Sequence, residues 1–122
     1  MVELDRDFKV EALLDAIEAA DASAQIPMYA DEAEVQVFDP HHPPRGPMSL
    51  RGKKAIAAWI TDICSINMTH RVVDLVEGGH MLAFTEEGRY RDGARVVSTS
   101  TLELRQGLIR RQRVVLVWDD WD

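Results

Sequence analysis

The segment MYADEAEVQVFDP at residues 28–40, followed after a proline-rich loop by LRGKKAIAAWI at residues 50–60, decides the architecture of this chain. It reads as the end of a helix, a short strand over residues 34–38 that closes on Asp39-Pro40, a loop, and a second helix opened by Arg51-Gly52. Val35, Val37 and Phe38 give the strand its β-branched and aromatic character. Pro40, Pro43, Pro44 and Pro47 forbid regular pairing across the loop, because proline donates no ladder hydrogen bond. A carboxylate, Asp39, is thereby left at the end of a strand, at the entrance to a region roofed by helices.

Upstream, Phe8, Val10, Leu13, Leu14, Ile17 and Ala20 recur at steps of three and four, which predicts one amphipathic helix over residues 7–22. Asp21 and Ser23 offer a break and a new cap, and residues 24–29 read as a short second helix with Pro27 in its first turn. Downstream, residues 52–65 predict a helix with Ile56, Ala57, Trp59, Ile60 and Ile63 on one side. From Met68 the period changes to two. Residues 68–77, 80–91, 94–105 and 108–118 read as four long strands joined by turns at Gly78-Gly79, Asp92-Gly93 and Arg105-Gln106-Gly107.

A helical half followed by an antiparallel meander is an α+β arrangement, with N-terminal helices packed in the concavity of one strongly curved, mostly antiparallel sheet. The expectation is a single domain over residues 1–122. Alternation assigns the faces. Val96, Ser98, Ser100, Leu102 and Leu104 point inward, opposed by Arg95, Glu103 and Arg105. Leu82, Phe84, Glu86, Gly88 and Tyr90 form the inner set of the preceding strand, and Gln112, Val114, Leu116 and Trp118 that of the last. On the first meander strand the inner set is Met68, His70, Val72, Asp74 and Val76.

The 122 residues are 46% hydrophobic and 29% charged, enough apolar surface for a core without cross-links. A net charge of −7 argues against a nucleic-acid partner, despite the local cluster Arg110, Arg111 and Arg113. Cys64 is the single cysteine, which suits a reducing cytoplasm. The N-terminal MVELDRDFKVEALL lacks the apolar centre of a signal peptide, and no run has membrane-spanning length, so no membrane partner is expected.

The block at residues 28–60 and the four strands after it resemble the nuclear transport factor 2-like superfamily of cone-shaped α+β barrels with a cystatin-like fold. Within it, the chain is most similar to the ketosteroid isomerase and SnoaL-like polyketide cyclase branch. The resemblance implies a pocket for a small apolar molecule inside the cone. In ketosteroid isomerases the Asp of Asp-Pro is the general base, a role that falls here on Asp39. Their oxyanion hole uses a tyrosine on the first helix and a protonated aspartic acid on the sheet. Those positions fall on Ala16 and Ser100, so the base is kept, the tyrosine is absent and the acid has become a hydroxyl.

The expected proton-transfer set is therefore Asp39 as base with a pKa raised by enclosure, His70 as secondary acid/base, and Ser100 as oxyanion donor. Trp59, Phe84, Glu86, Tyr90, Ser98, Leu116 and Trp118 would shape the substrate pocket. Each has a plainer reading: Asp39 as a turn starter, His70 as a bonded core residue, Ser98 and Ser100 as strand fillers. No cofactor is expected, and His41-His42 lacks the spacing of a metal site. Two functions stand side by side: an isomerase or cyclase acting on an apolar carbonyl compound, and a non-catalytic ligand-binding or dimeric interaction module. Relatives pair through the outer sheet face, and Val97, Val115 and Val117 on that face lead to the expectation of a homodimer. The tail from Trp118 to Asp122 reads as an exposed end or as a strand extension against a second subunit.

Overall fold

The computed structural model describes residues 7–119. Helix α1 (Val10–Glu18) buries Val10, Leu13, Ala16 and Ile17 along one face. It is shorter than the helix expected over residues 7–22, because Ala20 turns left-handed at φ 51°. Ala20 N–H then bonds the Ile17 carbonyl and Asp21 N–H the Ala16 carbonyl, a double closure that satisfies the last carbonyls and stops the helix. Asp21 at once caps α2 (Ala22–Gln25), accepting from the Ala24 N–H at 3.1 Å. Ile26–Met28 continue as one tight 3-10 turn, so the second helix lies a little upstream of its expected place and ends before Tyr29.

Strand β1 (Tyr29–Phe38) begins five residues before the expected strand at 34–38. Its extra length comes from parallel pairing with β6 (Leu108–Trp118), in register at Tyr29↔Ile109 and, after an irregularity, from Glu34↔Arg111 to Phe38↔Val115. The stretch expected to lead from loop to helix contains an unforeseen short strand, β2 (Met48–Arg51). It pairs antiparallel with β1 from Val37↔Met48 to Glu34↔Arg51. Gly52, at φ 86°, turns the chain out of β2 into α3 (Lys53–Ser65), and its N–H bonds the Ala33 carbonyl at 2.9 Å. Ile56 and Ile60 seat α3 on the sheet.

The meander is as expected: β3 (Met68–Gly78), β4 (Met81–Tyr90) and β5 (Arg95–Arg105), ending in β6. The strand order is β2-β1-β6-β5-β4-β3, antiparallel at every junction but β1–β6. The sheet is curved and unclosed, with β2 and β3 as its edges, rather than a sealed barrel. Leu82, Leu102, Leu104 and Ile109 from the sheet meet Leu13 and Ile56 from the helices in one core. Glu18, ending α1, accepts the Val72 N–H at 2.9 Å and ties the helix to the β3 edge.

The inner faces of β4, β5 and β6 are those read from alternation, but β3 departs. Between Val73 and Val76 it holds a bulge, with Asp74 left-handed at φ 55°. The extra residue exchanges the faces, so Asp74 and Val76, expected to point inward, are exposed, Val76 at 64%. Met68, His70 and Val72, ahead of the bulge, remain inside. Among the described residues no helix is long and apolar enough to cross a membrane. Residues 120–122 of the tail, expected as an exposed end or as a strand extension against a second subunit, lie outside the described residues.

Candidate functional site

Register sets the site. Across the concave face, Leu116 stands opposite Ser98, Ser98 opposite Glu86, and Glu86 opposite Val72. One step along the strands, Val37, Val114, Ser100 and Phe84 form the parallel row. Between these rows and helices α1 and α3 lies a cavity of about 240 Å³. Every residue expected at the site lines it except Trp118. Trp118 is on the predicted face but near the end of β6, where its ring meets His41 at 5.5 Å between centroids. It shapes the loop after β1 rather than the pocket wall.

Three polar groupings, besides Gln25, Ser98 and Tyr90, interrupt a mostly apolar lining, which is how small-molecule sites fix orientation. In the first, His70 Nδ1 meets Glu86 Oε1 at 2.7 Å. The His70 side chain is 4% exposed, and its Nε2 has no hydrogen-bond partner. A buried ring nitrogen without a partner costs free energy on the order of 1–3 kcal/mol, so the arrangement calls for a ligand or a function. An ionised Glu86 accepts only a donor, which places a His70 proton on Nδ1; in the neutral ring the lone pair is then on Nε2.

The second grouping is a chain. Tyr29 donates its hydroxyl to Gln112 Oε1 at 2.5 Å, and Gln112 Nε2 donates to Ser100 Oγ at 3.2 Å. Gln112 and Ser100 are both buried. Burial, with the nearby Glu86 charge adding to it, pushes the Tyr29 phenol well above its ordinary range, so it stays a donor. Sequence reasoning placed Gln112 on the inner face without assigning it a task, and left Tyr29 at a helix end. The available signal was a glutamine on a face otherwise occupied by Val114, Leu116 and Trp118.

The third is Asp39 at the mouth. Its side chain is 11% exposed, so it does not face bulk water. It accepts the His41 N–H at 2.8 Å and meets His42 Nδ1 at 2.9 Å. The expected rise in its pKa is overturned. Desolvation does push it up, but the bond from the His42 ring, the His41 N–H and the attraction of His42 outweigh that and hold the carboxyl below its usual value. Asp39 thus starts the turn of its own loop, and the same loop clamps the acid.

Ala16, at the position where the resemblance calls for a tyrosine, is buried and offers only its carbonyl, which accepts from Gln25 Nε2 at 3.2 Å. The cavity's phenols come instead from Tyr29 and Tyr90. Cys64 also borders it, its thiol pushed up by burial, with Gln25 Nε2 3.7 Å from Sγ. No Lys or Arg is among the described residues that line the cavity. No grouping of three or more His, Cys, Asp or Glu able to hold a metal ion occurs among the described residues.

A sequence profile of the SnoaL-like domain matches residues 10–112. No curated protein matches the sequence. Among solved structures, an NTF2-like protein of unknown function from Mesorhizobium loti superposes with a TM-score of 0.76 at 15% identity, covering 94% of this chain and 98% of that one. One from Burkholderia xenovorans gives 0.75 at 18% identity over 93% and 82%. A Kribbella flavida protein described as a candidate ketosteroid isomerase gives 0.71 at 16% identity over 93% and 76%. At such identities the likeness is one of fold.

Proposed function

The chain belongs to the family of SnoaL-like domains, and from that premise we propose that its cavity binds a small, neutral, apolar carbonyl compound and moves a proton on it. The observation that carries this reading is the bare Nε2 of His70, buried and unpartnered while Glu86 holds the opposite nitrogen. A base needs a free lone pair, His70 borders the cavity, and a carboxylate behind the ring stabilises the imidazolium that forms.

In this scheme His70 removes a proton next to the carbonyl and returns it at another carbon, which is isomerisation. Alternatively, the carbanion attacks a second carbonyl, whose C=O π bond opens to an alkoxide that takes the proton back from the imidazolium, which is cyclisation. Ser100 donates to the oxygen on which charge develops. Trp59, Phe84, Tyr90 and Leu116 exclude water and pack the apolar body, with Ser98 beside Glu86. Asp39 is the second candidate acceptor. It lines the cavity, and its loop keeps it ionised, but the same bonds make it the weaker base. Because Cys64 is the one cysteine, a reducing cytoplasm suits the protein.

The non-catalytic alternative, a ligand carrier, is favoured by one observation: both hydrogen bonds to Asp39 come from its own loop. Deuterium uptake from solvent into a panel of fused-ring ketones separates the readings without knowledge of the natural substrate. Uptake that is lost in His70→Gln and kept in Asp39→Asn supports His70 as the base. The reverse pattern assigns the base to Asp39. Binding with no uptake by the wild-type protein makes it a carrier.

A further inference from the structure

We infer that Gln112 is a positioning residue: with Tyr29 it makes Ser100 Oγ an acceptor on its buried side and so commits the Ser100 hydroxyl proton to the cavity. The inference deepens the carbonyl-binding reading and rests on it only for what takes that proton.

The argument starts from two distances. Tyr29 Oη and Gln112 Oε1 are 2.5 Å apart, and Gln112 Nε2 and Ser100 Oγ 3.2 Å. An O–H···O bond spans about 2.5–3.0 Å, whereas N–H···O needs about 2.7–3.2 Å. The shorter contact favours an oxygen opposite the phenol, and the longer one an amide nitrogen. Both distances agree with the orientation in which Gln112 turns Oε1 to Tyr29 and Nε2 to Ser100. With Nε2 facing it, Ser100 must accept. A hydroxyl has one proton, and the Gln112 bond is the only side-chain hydrogen bond of Ser100 among the described residues. Ser100 lines the cavity and is 4% exposed, so its proton has one direction left in which to find an acceptor.

Tyr29 is the lock. If its hydroxyl is removed, nothing holds Gln112 Oε1, and the amide can turn over. Oε1 then accepts the Ser100 proton itself. An amide oxygen is a stronger acceptor than a ketone, so a bound ketone loses its donor although the serine is untouched.

Two measurements test this. In the ligand-free protein, the nitrogen and proton resonances of the Gln112 side-chain amide are followed in wild type, Ser100→Ala, Tyr29→Phe and the double variant. Ser100→Ala is expected to shift them strongly in the wild-type background and to lose most of that effect in the Tyr29→Phe background. Equal shifts in both backgrounds overturn the relay. In the second measurement, 2-acetylnaphthalene carrying a carbon-13 carbonyl is bound and its stretch is read by infrared difference. The stretch is expected at low frequency in wild type and at the same higher frequency in Ser100→Ala and Tyr29→Phe. If Ser100→Ala raises it and Tyr29→Phe does not, the relay fails while the carbonyl site stands. If Ser100→Ala leaves it unmoved, the carbonyl site at Ser100 fails, and the amide resonances alone decide the relay.

Discussion

His70 and Glu86 form a diagonal pair across β3 and β4: His70 stands opposite Gly88 and Glu86 opposite Val72, yet Nδ1 and Oε1 are 2.7 Å apart. Gly88, the residue directly across from the histidine, offers no side chain to pair with it, so His70 finds its partner along the diagonal. With the ring held by one nitrogen and the other left bare, the pair has the form of an oriented base. Replacing His70 with Gln is expected to lower proton transfer on an enolisable ketone by about 10²–10⁴-fold. Glu86→Gln keeps the shape but removes the charge behind the ring, and should lower the rate by less. Deuterium exchange under saturating ketone checks both, with melting temperature as the control for folding.

The clamp on Asp39 has a consequence in acid. Its folded-state pKa lies below the ordinary carboxylate value. A depressed pKa means that the loop contacts add stability that is complete above the unfolded value near 3.8 and is lost as pH falls through the folded one. Asp39→Asn retains an acceptor for the His41 N–H but has no charge to lose. The variant is expected to be somewhat less stable than wild type at neutral pH, with the difference shrinking as pH drops below about 4. Urea midpoints between neutrality and pH 3 would test this. Parallel curves would mean the clamp contributes no electrostatic stability.

Gly88 sits where the inner surface is tightest. A Cβ there would lie 2.5 Å from Met68 Cε and 2.8 Å from Val96 Cγ1. The methionine end can swing aside, whereas the valine methyl on a paired strand cannot. Gly88→Ala should therefore cost about 1–3 kcal/mol. Because Met68 lines the cavity, its displaced end would also take up ligand space. Calorimetric melting, with binding of an aromatic ketone measured alongside, would register both effects.

What could be read in advance follows from periodicity. Two-residue alternation along β4, β5 and the part of β3 ahead of its bulge put Ser100, Glu86 and His70 on one face. The short strand β2 escaped because four residues after Pro47 are too few to show a period, and it exists through its pairing with β1. The bulge at Asp74 escaped for a similar reason: a left-handed aspartate is permitted by sequence but selected by the partner strand. At the site, residue types and faces were legible, while hydrogen-bond partners were not. His42 beside Asp39 and Tyr29 beside Gln112 are contacts of folded geometry, the second between residues 83 apart in sequence.

Ala20 is the clearest local strain with a simple remedy. It occupies the left-handed position that ends α1, at φ 51°, a site where glycine has no steric penalty. Ala20→Gly is expected to stabilise the fold by about 1 kcal/mol, since relief of the clash outweighs the added freedom of the unfolded chain. Chemical denaturation would show a higher midpoint at unchanged slope. A lower midpoint would mean that the alanine methyl makes packing contacts worth more than the strain.

The outer face of the sheet is the surface on which a second copy of the chain is proposed to dock. Val97 and Val117 face each other across β5 and β6, and Val115 follows beside Thr99. They are 41%, 60% and 56% exposed, an apolar run on a face that otherwise carries charge. Glu87, opposite Val97, and Arg113, two residues before Val115, lie toward diagonal ends of the run, an arrangement that a two-fold axis can use to bring unlike charges together. Val117→Lys would place a cation in the apolar centre of such an interface while leaving the isolated chain's fold undisturbed, because the position is already exposed. Sedimentation of the wild type is expected to give a dimer and that of the variant a monomer with an unchanged circular dichroism spectrum. A wild-type monomer at high concentration, or a variant dimer of equal affinity, would remove this face from consideration.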